Sequence, residues 1–156
     1  VIDLVDSALR FVSGEWRDKV KIEKEIPDNH VIWANPNQAT QILLNLLQNA
    51  LDALRGSSST GEPTIWIHAS VANGESLIVI RDNGEGIAED HIHKIFDPFF
   101  TTKEVGQGMG LGLSICYRIM KQHGGRIEVR SEQGRYTEFT LRFPEKSGSR
   151  SEITAA

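Results

Sequence analysis

The chain has 156 residues, of which 39% are hydrophobic and 24% charged, with a net charge of −4 and a single Cys. That length supports one hydrophobic core, since a domain of about 150 residues buries roughly 70% of its unfolded surface. Cys116 alone can form neither an internal disulfide nor a structural zinc site, which excludes a secreted disulfide scaffold and a zinc module.

Lys and Arg are interspersed with carboxylates, so no basic stripe exists for nucleic acid. No apolar run nears the ~20 residues of a membrane span, and Val1-Ile2-Asp3 does not begin a signal peptide. The expectation is a cytoplasmic domain without membrane contact of its own, whether or not its parent is anchored in the inner membrane.

In chain order, Ile2, Val5, Leu9 and Val12 have helical spacing, and Val20, Ile22 and Ile26 follow at strand-like spacing. Residues 37–54 form a long helix, with Asn35 as N-cap, Pro36 at its first position and Gly56 beyond its end. Two strands follow, 64–71 and 77–80, joined by the hairpin turn Asn73-Gly74. A helix over 111–123 ends at Gly124-Gly125, and strands 126–130 and 136–143 turn at Gln133-Gly134. Three helices over one sheet face make a two-layer α/β sandwich of the α+β class. The domain is expected to span 1–144, and the polar stretch 145–156 to be a disordered tail.

Three features carry chemistry. On the long helix, Gln38, Gln41, Asn45, Gln48, Asn49 and Asp52 fall within an arc of about 100°, and residues 36–51 hold no charge. Amides on an otherwise apolar helix suit either a polar cavity or an ordinary wetted face. The second feature is Asp82-Asn83-Gly84-Glu85-Gly86 at the end of an apolar strand. Its Asp can accept from a ligand amino group while the glycines allow close approach; the alternative is a plain turn.

The third is Gly106-Gln107-Gly108-Met109-Gly110-Leu111-Gly112, which runs directly into a helix. Backbone N–H groups and the helix dipole there suit phosphates, the alternative being a flexible structural loop. Six of the 14 glycines fall between Gly84 and Gly112, so the surplus is local. Spacing excludes a P-loop and a Rossmann fingerprint. Phe96-Asp97-Pro98-Phe99-Phe100-Thr101-Thr102-Lys103 lies between the glycine motifs and has the pattern of a hinge leading into a lid, with Lys103 in reach of a phosphate.

In order, these segments resemble the N box (Asn45 to Ala50), first glycine box (Asp82 to Gly86), F box (Phe96 to Phe100) and second glycine box (Gly108 to Ser114) of the sensor histidine kinase ATP-binding domain, a branch of the GHKL superfamily. His123 to Ser131 and Thr137 to Pro144 resemble that family's closing hairpin. Two departures occur: Ala34-Asn35-Pro36 where many relatives have Gly-Asp-Pro, and Gly134-Arg135-Tyr136-Thr137 where the turn commonly reads Gly-x-Gly-Thr.

The resemblance implies a mixed, mostly antiparallel sheet with helices on one face, and an ATP site assembled from all four boxes. Asn45, Asn49 and Asp52 would contribute from the long helix, with Asn49 ligating Mg2+. Asp82 would accept from the adenine amine beside Gly84, Gly86 and Ile87. Phe96, Thr101, Thr102 and Lys103 would come from the hinge, and Gly108, Met109, Gly110, Leu111, Gly112 and Leu113 would close over the phosphates. Asn45, Asn49 and Lys103 would serve catalysis.

The implied reaction is transfer of the γ-phosphoryl group of Mg-ATP to a histidine on a dimerisation and histidine-phosphotransfer domain of the same parent, with a response regulator downstream. The rivals are a GHKL ATP hydrolase or clamp and a non-catalytic ATP-sensing module. In the clamp enzymes a Glu four residues before the Mg2+ Asn activates water; Asn45 cannot act as that base. None of His30, His68, His91, His93 and His123 has the setting of an acceptor histidine, and each is read as structural, with His123 suiting a helix C-terminus.

Overall fold

A computed structural model describes residues 1–14, 16–58, 61–103 and 110–145. The elements run α1 (Ile2–Val12), β1 (Lys21–Glu25), α2 (Pro36–Arg55), β2 (Thr64–Ala72), β3 (Glu75–Asp82), α3 (Glu89–Ile92), α4 (Gly112–Gln122), β4 (Arg126–Glu132) and β5 (Tyr136–Pro144). The five strands form one sheet in the order β1-β2-β3-β5-β4. β1 pairs parallel with β2, and the other pairs are antiparallel, so the sheet is mixed. The parallel pair follows from the crossover through α2, which a two-residue turn could not make.

In the three central strands alternate residues enter the core: Ile65, Ile67 and Ala69 from β2, Ile78 and Ile80 from β3, and Phe139, Leu141 and Phe143 from β5. Opposite them α2 buries Ile42, Leu43, Leu46, Leu47, Ala50, Leu51 and Leu54, each larger side chain contributing about 1.5–3 kcal/mol by leaving water. α1 packs on α2, and α4 joins it through Cys116, Ile119 and Met120. The helices thus cover one face. The other carries ion pairs such as Arg126 with Glu75 at 2.5 Å and Arg142 with Glu128 at 3.1 Å.

The three long helices stand where their periodicity puts them, and a fourth, the single turn α3, is added between the glycine motifs. Four residues are too few to show a hydrophobic period. At the start of α2, Asn35 Oδ1 accepts from the N–H groups of Asn37 (3.0 Å) and Gln38 (3.2 Å). The Asn35 N–H donates to His123 Nε2 at 3.1 Å, while His123 Nδ1 faces the Ile119 carbonyl at 2.8 Å. His123 therefore ties α4 to the cap of α2 through both ring nitrogens, where its position at a helix end had suggested an electrostatic role.

Among the described residues no helix is long and apolar enough to cross a membrane. Residues 146–156, the greater part of the expected tail, lie outside the described residues.

Candidate functional site

A cleft of about 1280 Å³ opens where α2, the end of β3, the segment 100–103 and the start of α4 converge. It is lined by Asn45, Asn49, Asp52, Asp82, Gly86, Ile87, Thr101, Thr102, Lys103, Gly110, Leu111, Gly112 and Leu113, so the separate sequence motifs meet at one place. Gln48 also lines it, but Gln38 and Gln41 do not; Gln38 instead approaches Gln122 of α4 at 3.5 Å. Only the C-terminal half of the amide stripe faces the cleft.

The amide of Asn45 has a fixed orientation. Its Nδ2 donates to the Gly112 carbonyl at 3.3 Å and approaches Cys116 Sγ at 3.7 Å, so α4 holds the nitrogen end. Burial pushes the Cys116 thiol up to about 11, which leaves it a packed, unreactive neighbour. Asn49 stands one turn further along, half-buried on the same wall. Asp52 accepts from Gln48 Nε2 at 3.0 Å and forms an ion pair with Lys103. Lys103, expected on a phosphate, thus sits on a carboxylate of α2.

Asp82 closes the other end. Only 4% exposed, it has its carboxyl pushed up to about 7, chiefly by burial and secondarily by Glu85. The Gly84 N–H, donating to Oδ1 at 2.9 Å, and Arg81 oppose that rise. Across the sheet register Asp82 is opposite Thr137, itself 4% exposed and part of the cleft lining.

Gly84 and Phe96 do not line the cleft. A Cβ on Gly84 would lie 2.6 Å from the Ala53 carbonyl carbon, so this glycine lets the loop after β3 press against α2. Phe96 packs behind the cleft, its ring 5.8 Å from Tyr117 and 6.4 Å from Phe139. Gly86, at φ 68°, does line the cleft, but the atoms a side chain would strike belong to Glu132 and Gln133 in the β4–β5 turn.

Gly108 and Met109, together with Gly106 and Gln107, lie outside the described residues. The chain leading to them is pinned by Phe99 N–H donating to the Gly110 carbonyl at 2.9 Å. Both residues have positive φ, 67° and 68°, and a Cβ on Gly110 would come within 2.6 Å of the Phe100 oxygen, so glycine is required there. Gly112 has ordinary clearance from Asn45. α4 begins at that glycine, and among the described residues no side chain caps it.

Several lining residues had no place in the sequence-level site: Glu85, His91, Phe100, Gln133, Thr137 and Phe139. His91, read as structural, stacks edge-on against Phe100 at 5.4 Å within the lining. Thr137 and Phe139 arrive through strand register, which no local pattern records. The departure at Gly134-Arg135-Tyr136-Thr137 bore in the sequence on the shape of this turn and not on the nucleotide site.

Residues 34–147 match the family described as histidine kinase-, DNA gyrase B-, and HSP90-like ATPase. The chain belongs to this family. Within it, the chain is 37% identical over 144 residues to the sensor histidine kinase ZraS of Escherichia coli (strain K12), a match covering 90% of the chain and 29% of ZraS. It therefore spans less than a third of that relative's length. Among solved structures, the catalytic domain of histidine kinase ThkA superposes with a TM-score of 0.77 at 29% identity, covering 92% of this chain and 93% of that one. Full-length ShkA, solved in complex with AMPPNP, superposes at 0.76 with 28% identity, over 91% of this chain and 29% of ShkA. The α+β fold is that of the histidine kinase catalytic domains, and the domain is a histidine-kinase-like ATPase unit of the family.

Proposed function

We propose that this domain, residues 1–144, binds Mg-ATP in the cleft and transfers the γ-phosphoryl group to a histidine on a separate dimerisation and histidine-phosphotransfer domain of its parent, from which a response regulator is then served. The observation that carries the reading is the state of position 45. It is a neutral amide whose nitrogen is committed to Gly112 and Cys116, so it offers no general base for water. Of the three carboxylates among the described lining residues, Asp52 is engaged by Lys103 and Gln48, Asp82 is turned to the backbone of its own loop, and Glu85 reaches over Gly56 at the C-terminal end of α2. A site without a base at position 45, where the clamp enzymes carry theirs, suits transfer to an external acceptor.

Phosphoryl transfer asks mainly for positioning and charge neutralisation. The start of α4 supplies N–H groups to phosphate oxygens, and Lys103 exchanges Asp52 for phosphate when nucleotide enters. Asp82 accepts from the base amine, with Ile87 against the ring. Among the described residues no cluster of three or more His, Cys, Asp or Glu could hold a metal. Mg2+ fits instead as an ion carried by the triphosphate, held by the Asn49 amide oxygen with water completing its shell, and when bound it supplies charge neutralisation. Support for a nucleotide comes from ShkA, whose crystals hold AMPPNP.

The test mixes this domain with ATP, Mg2+ and a separately supplied acceptor-helix domain. Acid-labile phosphohistidine on the partner is expected. ATP binding with no phosphohistidine would refute the kinase reading, and rapid release of free phosphate without a partner would establish a hydrolase instead.

A further inference from the structure

Ser131 stands on the core-facing side of β4 and is absent from the cleft lining, yet its hydroxyl connects two residues that line it. Its Oγ accepts from the Ile87 N–H at 2.8 Å, donates to the Tyr136 carbonyl at 2.7 Å, and lies 3.1 Å from Thr137 Oγ1. A serine hydroxyl has one hydrogen and two lone pairs. The hydrogen is taken by the Tyr136 carbonyl and one lone pair by Ile87. The contact with Thr137 can then form only if Thr137 donates its own hydrogen to Ser131.

That donation sets the polarity of Thr137. With its hydrogen turned toward β4, Thr137 Oγ1 keeps only lone pairs for the cleft. Directly opposite in the register, the Asp82 carboxylate in its ionised form also only accepts. Two acceptors side by side match a group with two hydrogens, such as an exocyclic amine, and oppose a keto oxygen, whose lone pairs would meet theirs. The same hydroxyl fixes Ile87, and the Gly134 N–H, donating to the Glu85 carbonyl at 2.6 Å, holds the β4–β5 turn against the loop after β3.

We propose that Ser131 is a positioning residue for base selection: it orients the Thr137 hydroxyl so that Thr137 and Asp82 together recognise an amino-bearing purine and reject a 6-keto one. This rests on the ATP reading of the cleft and adds the residue that sets its selectivity.

The test compares ATP, inosine triphosphate and inorganic tripolyphosphate on the 156-residue chain by calorimetry. Ser131→Ala is expected to weaken ATP about tenfold, the scale of one unsatisfied buried hydrogen bond, and to leave inosine triphosphate and tripolyphosphate within about twofold. Ser131→Thr keeps the hydroxyl and restores ATP affinity to within about threefold. Equal weakening of all three ligands, or an unchanged ratio of ATP to inosine triphosphate, overturns the proposal. If Ser131→Ala does not fold, Ser131→Cys takes its place, because its thiol is a weak donor and acceptor. Amide exchange at Ile87 in the unliganded protein is the independent reading: faster exchange in Ser131→Ala is expected, and unchanged exchange overturns the role. Should the wild-type chain bind no nucleotide, the ATP reading falls while the Ile87 exchange still reports on Ser131.

Discussion

Asp82 is the residue at which burial and function pull in opposite directions. Its side chain is buried at the end of β3, so its charged form is disfavoured and the carboxyl titrates at about 7. A folded-state pKa above the unfolded value means that the native state binds the extra proton. Stability is then greatest below about pH 4 as far as this group is concerned, and is lost as pH rises through about 7. Binding runs the other way, because the ionised form is the one that only accepts from a base amine. ATP affinity is expected to rise between about pH 6 and 8, as the carboxyl ionises, and Asp82→Asn should flatten that dependence while removing the loss of stability. Calorimetric titrations at several pH values, paired with urea unfolding, separate the two; an affinity that is flat with pH in the wild type would contradict the role given to Asp82. The Asp itself was legible in the sequence because it ends an apolar strand and precedes two glycines. Its burial was not, because that depends on Thr137 coming to lie beside it from β5.

At the scale of elements, the decisive piece is α2, which holds one wall of the core and one wall of the cleft. Its cap, its length and the cleft-facing part of its amide stripe could be read from residues three and four apart, since those are the distances at which a helix organises its own sequence. What could not be read is how its N-terminus is held in space: the Asn35 N–H is bound by His123 of α4, far along the chain. The two functions of Asn35 can be separated. Asn35→Ala removes the side-chain cap but keeps the backbone N–H for His123, and should cost about 1 kcal/mol; Asn35→Gly should cost only a few tenths. Urea denaturation of the two variants measures this. Equal losses would show that the cap contributes nothing beyond what the backbone already provides. The strand partners follow the same logic. The hairpins β2–β3 and β4–β5 were visible in Asn73-Gly74 and Gln133-Gly134, whereas the pairing of β3 with β5, which creates the base end of the cleft, left no local trace.

For the whole molecule, the cleft is not a feature on the surface of a finished core but a place where the core ends. α2 supplies buried Leu46, Leu47 and Leu51 on one face and Asn45, Asn49 and Asp52 on the cleft side, and β3 runs from buried Ile80 into Asp82. A ligand that bridges α2, β3 and the start of α4 therefore touches elements that unfold together, so binding should stabilise the domain as a unit. For a ligand that binds only the native state, saturation at 100 times Kd adds about 2.7 kcal/mol. In a chain of this size each kcal/mol raises the thermal midpoint by about 2–4 °C, so Mg-ATP should raise it by about 5–10 °C. Asp82→Ala should retain its own unliganded transition yet lose most of that increment at the same ATP concentration, and Asn49→Ala, which removes the amide oxygen, should lose the part that depends on Mg2+. Thermal scans with ATP alone, with Mg2+ alone and with both test this directly. If Asp82→Ala gained as much as the wild type, the base would not be held at the end of β3, and the cleft would be binding phosphates alone.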